Sequence, residues 1–228
     1  MSGEVTSVLF FAAGFGTRMR HLTANRPKPL VEVVGLPLID HARALADAAG
    51  LPTQIANLHY KSEMLEDHLR NTNVQTITEK PEILETGGGL KNVRHLVDGD
   101  AVFTMNTDAV WRGPNPFEVL KSAWRPETMD GLLLLIPPAQ THAHEGVGSF
   151  AMDETGRLSW DPMLTYTGAQ IIKHDGLSEI SETSFSIKLL WEKMLRTRKL
   201  FGVVYDGKWC DVGHPDAIPV AEALIHDA

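Results

Sequence analysis

Phe11-Ala12-Ala13-Gly14-Phe15-Gly16-Thr17-Arg18-Met19, with Pro27-Lys28-Pro29-Leu30 a few residues on, is the stretch from which the rest of the chain can be read. It joins an apolar run, Val8 to Ala12, to a glycine-rich loop, an arginine and a lysine held between prolines. Glycine has no Cβ, so Gly14 and Gly16 let backbone N–H groups come close to anionic oxygens. Arg18 and Lys28 add the positive charge that a reacting phosphoryl group needs. Together these residues read as a loop around the phosphates of a nucleoside triphosphate, with Ala12, Ala13, Gly14, Gly16 and Thr17 as its nucleotide-binding backbone and Arg18 and Lys28 as its catalytic cations. Two other glycine loops do not fit. The dinucleotide fingerprint needs a small residue where Met19 stands. The Walker pattern needs Gly-Lys-Ser/Thr, where this chain has Gly16-Thr17-Arg18.

Outward from the loop, Val8 to Ala12 reads as a buried parallel strand. Pro37 to Ala49 reads as a helix with Gly50 at its end. Gln54 to Leu58 and Val74 to Thr78 read as strands, and Ser62 to Leu69 as a helix with Ser62 as N-cap. Gly89 to His95 reads as a helix entered through Gly87-Gly88, and Ala101 to Met105 as another buried strand. Strands alternating with helices predict an α/β fold in which ligands bind beyond the carboxyl ends of the strands. The glycine loop follows one such end and Asn106-Thr107-Asp108 follows another. In the second half, strands are expected at Gly131 to Pro137, Tyr166 to Ile172 and Phe201 to Tyr205. A hairpin is expected from Ser149 to Trp160, and helices at Ser186 to Arg196 and Asp216 to Ile225. One domain over residues 1–228 is expected, with a nucleotide-binding part of about 1–110 and a lobe over the cleft with closing elements of about 111–228.

The 228 residues have an ordinary globular composition and a net charge of −8, which argues against an extended nucleic-acid surface. No apolar run approaches a membrane span, and no secretory-type segment opens the chain, so a cytoplasmic location is expected. The single cysteine, Cys210, excludes an internal disulfide framework and reads as a packed bystander.

Asp108 and Asp211 each follow a predicted strand. Magnesium takes hard oxygen ligands, commonly one or two carboxylates plus substrate phosphates, so these two are the expected metal ligands. Glu85-Thr86-Gly87-Gly88-Gly89 offers a carboxylate able to accept hydrogen bonds from a base or a sugar, and glycines expected to leave backbone amides free. His142 and His144 read as part of a polar loop, because no third metal ligand is evident. Trp111, Trp124, Trp160 and Trp191 read as packing.

These motifs, with Leu84-Glu85-Thr86-Gly87-Gly88-Gly89, Tyr166-Thr167-Gly168 and Trp209-Cys210-Asp211-Val212-Gly213, make the chain resemble the sugar-1-phosphate nucleotidyltransferases over nearly its whole length. Within them it is most similar to the bacterial N-acetylmuramate-1-phosphate uridylyltransferase branch, with mannose-1-phosphate guanylyltransferase-type sequences close behind. The resemblance implies a Rossmann-like, GT-A-like fold with a mixed, mostly parallel central sheet. It implies Mg²⁺ on Asp108 and Asp211, and nucleotide contacts that include Glu85, Gly88 and Asn106. It also implies sugar-phosphate contacts at Glu85, Gly148 and Gly168. The chain departs from the family pattern at Thr107, Ser149 and His214. The expected reaction joins a nucleoside triphosphate to a sugar 1-phosphate: UTP with N-acetylmuramate 1-phosphate, alternatively GTP with mannose 1-phosphate. The expected partners are these small molecules alone, with no nucleic acid and no membrane, and the expected state is a monomer or weak homodimer. A glycosyltransferase would want Asp-x-Asp where Asn106-Thr107-Asp108 stands. A non-catalytic nucleotide-sugar sensor would be expected to lack Arg18, Lys28 or a metal aspartate.

Overall fold

Leu132 to Ile136 are buried without interruption. A strand with no solvent face must lie inside a sheet covered on both sides. The computed structural model, which describes residues 4–227, builds such a sheet. The first half contains β1 (Ser7–Phe11), β2 (Glu32–Val33), β3 (Leu36–Pro37), α1 (Leu38–Ala48), β4 (Thr53–Leu58), α2 (Ser62–Leu69), β5 (Val74–Thr78), α3 (Glu85–Val93) and β6 (Ala101–Asn106). The second half adds β7 (Ala109–Arg112), α4 (Pro116–Ala123), β8 (Gly131–Ile136), β9 (Thr141–His142), β10 (Phe150–Met152) and β11 (Leu158–Trp160). It closes with β12 (Thr165–Lys173), α5 (Lys188–Arg196), β13 (Leu200–Val204), β14 (Lys208–Asp211) and α6 (Ala217–His226).

Seven strands form the central sheet in the order β13-β8-β12-β6-β1-β4-β5. Only β12 runs against its neighbours; the other pairings are parallel. The α/β fold with a mixed, mostly parallel sheet is therefore the one the resemblance implied. Strand periodicity sorts the core into two layers. Val8 and Phe10 point to the face shared with Ile39, Phe117 and Leu120, and Leu9 to the face shared with Leu90, Val93 and Trp191. A third cluster, with Met19, Val31, Leu38, Cys210 and Val212, lies under the glycine loop.

Several local expectations change. The helix expected from Gly89 begins at Glu85, so its glycines lie in the first turns rather than before them. Ser62 makes no capping bond; the helix follows Lys61, which has φ +49°. α4 was not anticipated, although its start carries a readable signal. Asn115 Oδ1 accepts from the Phe117 N–H at 3.0 Å and Pro116 occupies the first turn.

Candidate active site

The site forms where β1, β6 and β14 end. After Phe11 the chain turns through Ala12 and Ala13, both buried, to Gly14, where a Cβ would meet no protein atom. Gly16 has φ +64°, and a Cβ there would lie 2.8 Å from the Lys28 Cβ, so glycine is required for both conformation and space. The Gly16 carbonyl accepts from the Met19 N–H at 2.9 Å and the Thr23 hydroxyl at 3.0 Å. Met19, wholly buried in the third cluster, anchors the loop from below.

A buried polar chain ties this loop to the next one. The Ala12 N–H donates to Asn57 Oδ1 at 3.1 Å, and Asn57 Nδ2 donates to Glu79 Oε1 at 2.7 Å. Glu79 Oε2 then accepts from the Leu84 N–H at 2.8 Å, one residue before Glu85. Asn57 and Glu79 are buried, so these bonds lie in a low-dielectric setting where they hold geometry firmly. Glu85 has φ +57°, a strained conformation for a residue with a side chain, and it lines the cleft.

The two aspartates come together through the pairing of β7 with β14, which sets Asp211 opposite Ala109. The Val212 N–H donates to the Asp108 carbonyl at 2.8 Å. Lys28 Nζ donates to Asp108 Oδ2 at 2.7 Å, and His144 Nδ1 lies 3.0 Å from Asp211 Oδ2. Asp108 Oδ1 and Asp211 Oδ1 have no hydrogen-bond partner among the described residues. Arg18 is exposed, and its guanidinium lies beside Gly213 together with Asp211. The Thr107 hydroxyl donates to the Phe11 carbonyl at 2.9 Å, joining the ends of β6 and β1. Burial, with the Asp211 carboxylate next in line, pushes the Cys210 thiol up to about 12, so this cysteine stays protonated.

A cleft of about 210 Å³ opens between the loops. Ala12, Ala13, Gly14 and Lys28 line one side, and Glu85, Asn106 and Asp108 another. Gly16, Thr17 and Arg18 stand outside that lining. The glycine-rich helix start departs from expectation. The Gly87 and Gly88 amides both donate to the Phe185 carbonyl, at 2.9 and 3.1 Å, so they are not free. Gly88 packs on the Thr183 backbone and does not line the cleft. Gly148 and Gly168 also line neither cavity beside the site. Gly148 (φ +95°) lies on the Leu164 backbone, and Gly168 (φ +88°) makes room for Asn106. Gly148 is thus set by backbone packing and Gly168 by the Asn106 side chain, rather than by an open face.

A second cavity of about 240 Å³ adjoins the cleft and shares Phe11, Thr86 and Asn106 with it. Its wall includes His144, Trp160 and Trp191, which the sequence presented as loop and packing residues. Asn57 and Glu79 were also missed. Their only signal was polarity at a strand end, because the bonds that join Asn57 to Ala12 and to Glu79 span 45 and 22 residues of the chain.

A family model for nucleotidyl transferases matches residues 7–159, and the chain belongs to that family. It is 33% identical to the N-acetylmuramate alpha-1-phosphate uridylyltransferase of Caulobacter vibrioides over 242 aligned positions covering 100% of each chain. It is 27% identical to the mannose-1-phosphate guanyltransferase of Schizosaccharomyces pombe, matching 91% of this chain and 61% of that protein. Among solved structures, the inositol-1-phosphate CTP transferase from T. maritima superposes with a TM-score of 0.77 at 16% identity, covering 100% of this chain and 99% of the other. The protein is thus a nucleotidyltransferase by sequence family and has a nucleotidyltransferase fold.

Proposed function

We propose that the protein transfers a nucleotidyl group from a nucleoside triphosphate to a sugar 1-phosphate, yielding pyrophosphate and a nucleoside diphosphate sugar, with UTP and N-acetylmuramate 1-phosphate as its substrates. The observation that carries the reaction is the meeting of Asp108, Asp211 and Lys28 beside the glycine loop at one rim of the sheet. The substrate pair rests on the Caulobacter relative, whose similarity runs the length of the chain. GTP with mannose 1-phosphate is the second reading, favoured by the guanylyltransferase relatives.

The sugar-phosphate oxygen is already an anion, so its attack on the α-phosphorus needs no general base. Pyrophosphate leaves opposite the attacking oxygen, and no covalent enzyme intermediate is required. The backbone of Ala12 to Gly14 positions the triphosphate, and Lys28 and Arg18 neutralise charge as the phosphorus becomes five-coordinate. Glu85 accepts hydrogen bonds from the nucleoside or sugar hydroxyls. Asp108 and Asp211 suit a hard cation, because each keeps one carboxylate oxygen unpaired at the site. Two carboxylate ligands leave coordination positions for substrate phosphates. Mg²⁺ held there would supply charge neutralisation at the phosphates.

In this reading residues of about 1–110 hold the nucleotide and those of about 111–228 hold the sugar and close the site. The proposed setting is the cytoplasm, and the proposed working unit a monomer or weak homodimer acting on small molecules alone. Among the described residues no helix is long and apolar enough to cross a membrane.

Pyrophosphate release with Mg²⁺, measured over four nucleoside triphosphates and a panel of sugar 1-phosphates, tests the proposal. Release dependent on both UTP and N-acetylmuramate 1-phosphate is expected. GTP with mannose 1-phosphate in their place would keep the mechanism and replace the substrates. Folded protein that binds a triphosphate and releases nothing with any sugar would defeat the reading.

A further inference from the structure

The second cavity has a chemistry of its own. Trp160, Tyr166 and Trp191 form an aromatic wall. The wall is fixed in place. Trp191 Nε1 donates to Gln170 Oε1 at 2.8 Å, Gln170 Nε2 donates to Thr104 Oγ1 at 3.0 Å, and Trp160 stacks on Phe150 at 4.6 Å between ring centroids. No aspartate or glutamate lines the cavity. A carboxylate on a ligand would therefore meet no like charge from the residues of this lining. The Thr165 hydroxyl in the wall is buried and has no hydrogen-bond partner among the described residues.

The basic side chains at the cavity are His144 and Lys188. His144 is engaged with Asp211. Lys188 is exposed at the rim, and its ammonium makes no hydrogen bond or ion pair among the described residues, while its backbone N–H donates to Ser186 Oγ at 3.4 Å. It also stands in the first turn of α5, which contains no acidic residue. A cation in that position opposes the helix dipole, so its charge and the helix end add into one electropositive spot.

We infer that Lys188 is a specificity-determining residue that pairs with a carboxylate carried by the sugar, while the aromatic wall receives an apolar part of the same substituent. A lactyl ether offers both groups: a methyl for the aromatic faces and a carboxylate for the ammonium. The inference rests on the muramate reading given above and deepens it by naming what distinguishes that sugar from its unsubstituted parent.

N-acetylmuramate 1-phosphate and N-acetylglucosamine 1-phosphate differ only in the lactyl ether, so the ratio of their kcat/KM values with one nucleotide isolates it. In wild type the ratio favours the muramate. In Lys188→Gln it falls about tenfold to a hundredfold, the scale of a charge-assisted hydrogen bond. Lys188→Arg retains most of it. A ratio unchanged in Lys188→Gln, or equal losses on both sugars, would overturn the inference, the latter by assigning Lys188 to the phosphate or to the fold. Calorimetric binding of free N-acetylmuramic acid against N-acetylglucosamine supplies a readout independent of turnover. Preference for the acid in wild type, lost in Lys188→Gln, supports Lys188 even where transfer with UTP fails, which would then count against the function reading alone. Equal binding of the two sugars by wild type overturns the inference.

Discussion

Lys28 sits 2.7 Å from Asp108, its side chain 12% exposed and that of Asp108 30% exposed. A partly solvated pair of this kind contributes about 1 kcal/mol or less to stability. Its importance lies in where it holds an ammonium group. Lys28→Ala is therefore expected to lower kcat by about 10²- to 10³-fold, the usual effect of removing one group that stabilises developing charge. Its melting temperature should stay close to wild type. Near-normal turnover in that variant would remove Lys28 from the mechanism. At this scale the sequence was legible where chemistry is local. Arg18, Lys28, Asp108 and Glu85 announce themselves by type and by neighbouring glycines or prolines. Asn57, Glu79 and His144 do not, because each gains its meaning from a partner 45, 22 or 67 residues away. Gly88 misled for a related reason. A glycine that frees an amide and one that admits a packed neighbour look alike until Phe185 and Thr183 are placed against the helix.

Among the elements, the glycine loop is the one whose position the chemistry depends on. It is held from below by Met19, fully buried among Val31, Val33, Leu38 and Val212. Met19→Ala should cost about 2–5 kcal/mol, as truncation in a packed core does. It should also raise the KM for the nucleoside triphosphate severalfold, because the loop loses its anchor. Leu120→Ala in α4, equally buried but packed in the core that includes Phe103 and Phe117, makes the control. A similar loss of stability with an unchanged KM is expected there, and a matching rise in KM in both variants would show that the effect is not specific to the loop. Most central strands and helices were legible because apolar runs and glycine or proline stops are written locally. α4 was overlooked despite Asn115 and Pro116. β7 and β9 are four and two residues long and owe their existence to β14, which no periodicity could reveal.

For the whole molecule, the interior holds protons that the unfolded chain would release. Burial raises the Cys210 thiol from 9.0 to about 12 and the Tyr205 phenol from 10.0 to about 12. Between about pH 9 and 12 the folded state therefore binds more protons than the unfolded state, and stability falls as pH rises. Each group adds a slope of at most ~1.4 kcal/mol per pH unit once its unfolded form has ionised. The urea midpoint should decline from about pH 9 upward, and Cys210→Ala should make that decline shallower. A slope identical in the two proteins would contradict this account. The direction of β12 was beyond reach at this scale for a plain reason: a strand buried on both faces has the same apolar pattern whichever way it runs. The resemblance to a family, rather than periodicity, supplied the mixed sheet.

The hydrogen bond from the Val212 N–H to the Asp108 carbonyl, and the β7–β14 pairing beside it, have a consequence for biosynthesis. A nascent chain emerging from the ribosome exposes the glycine loop, Lys28 and Asp108 long before Asp211. The strands of the first half can begin to pair, yet Asp211 joins Asp108 only when β14 docks on β7. A chain that stops short of β14 lacks one of the two proposed metal ligands, and under the proposed mechanism it would not spend nucleoside triphosphates. Under the proposed mechanism, catalytic competence waits for β14.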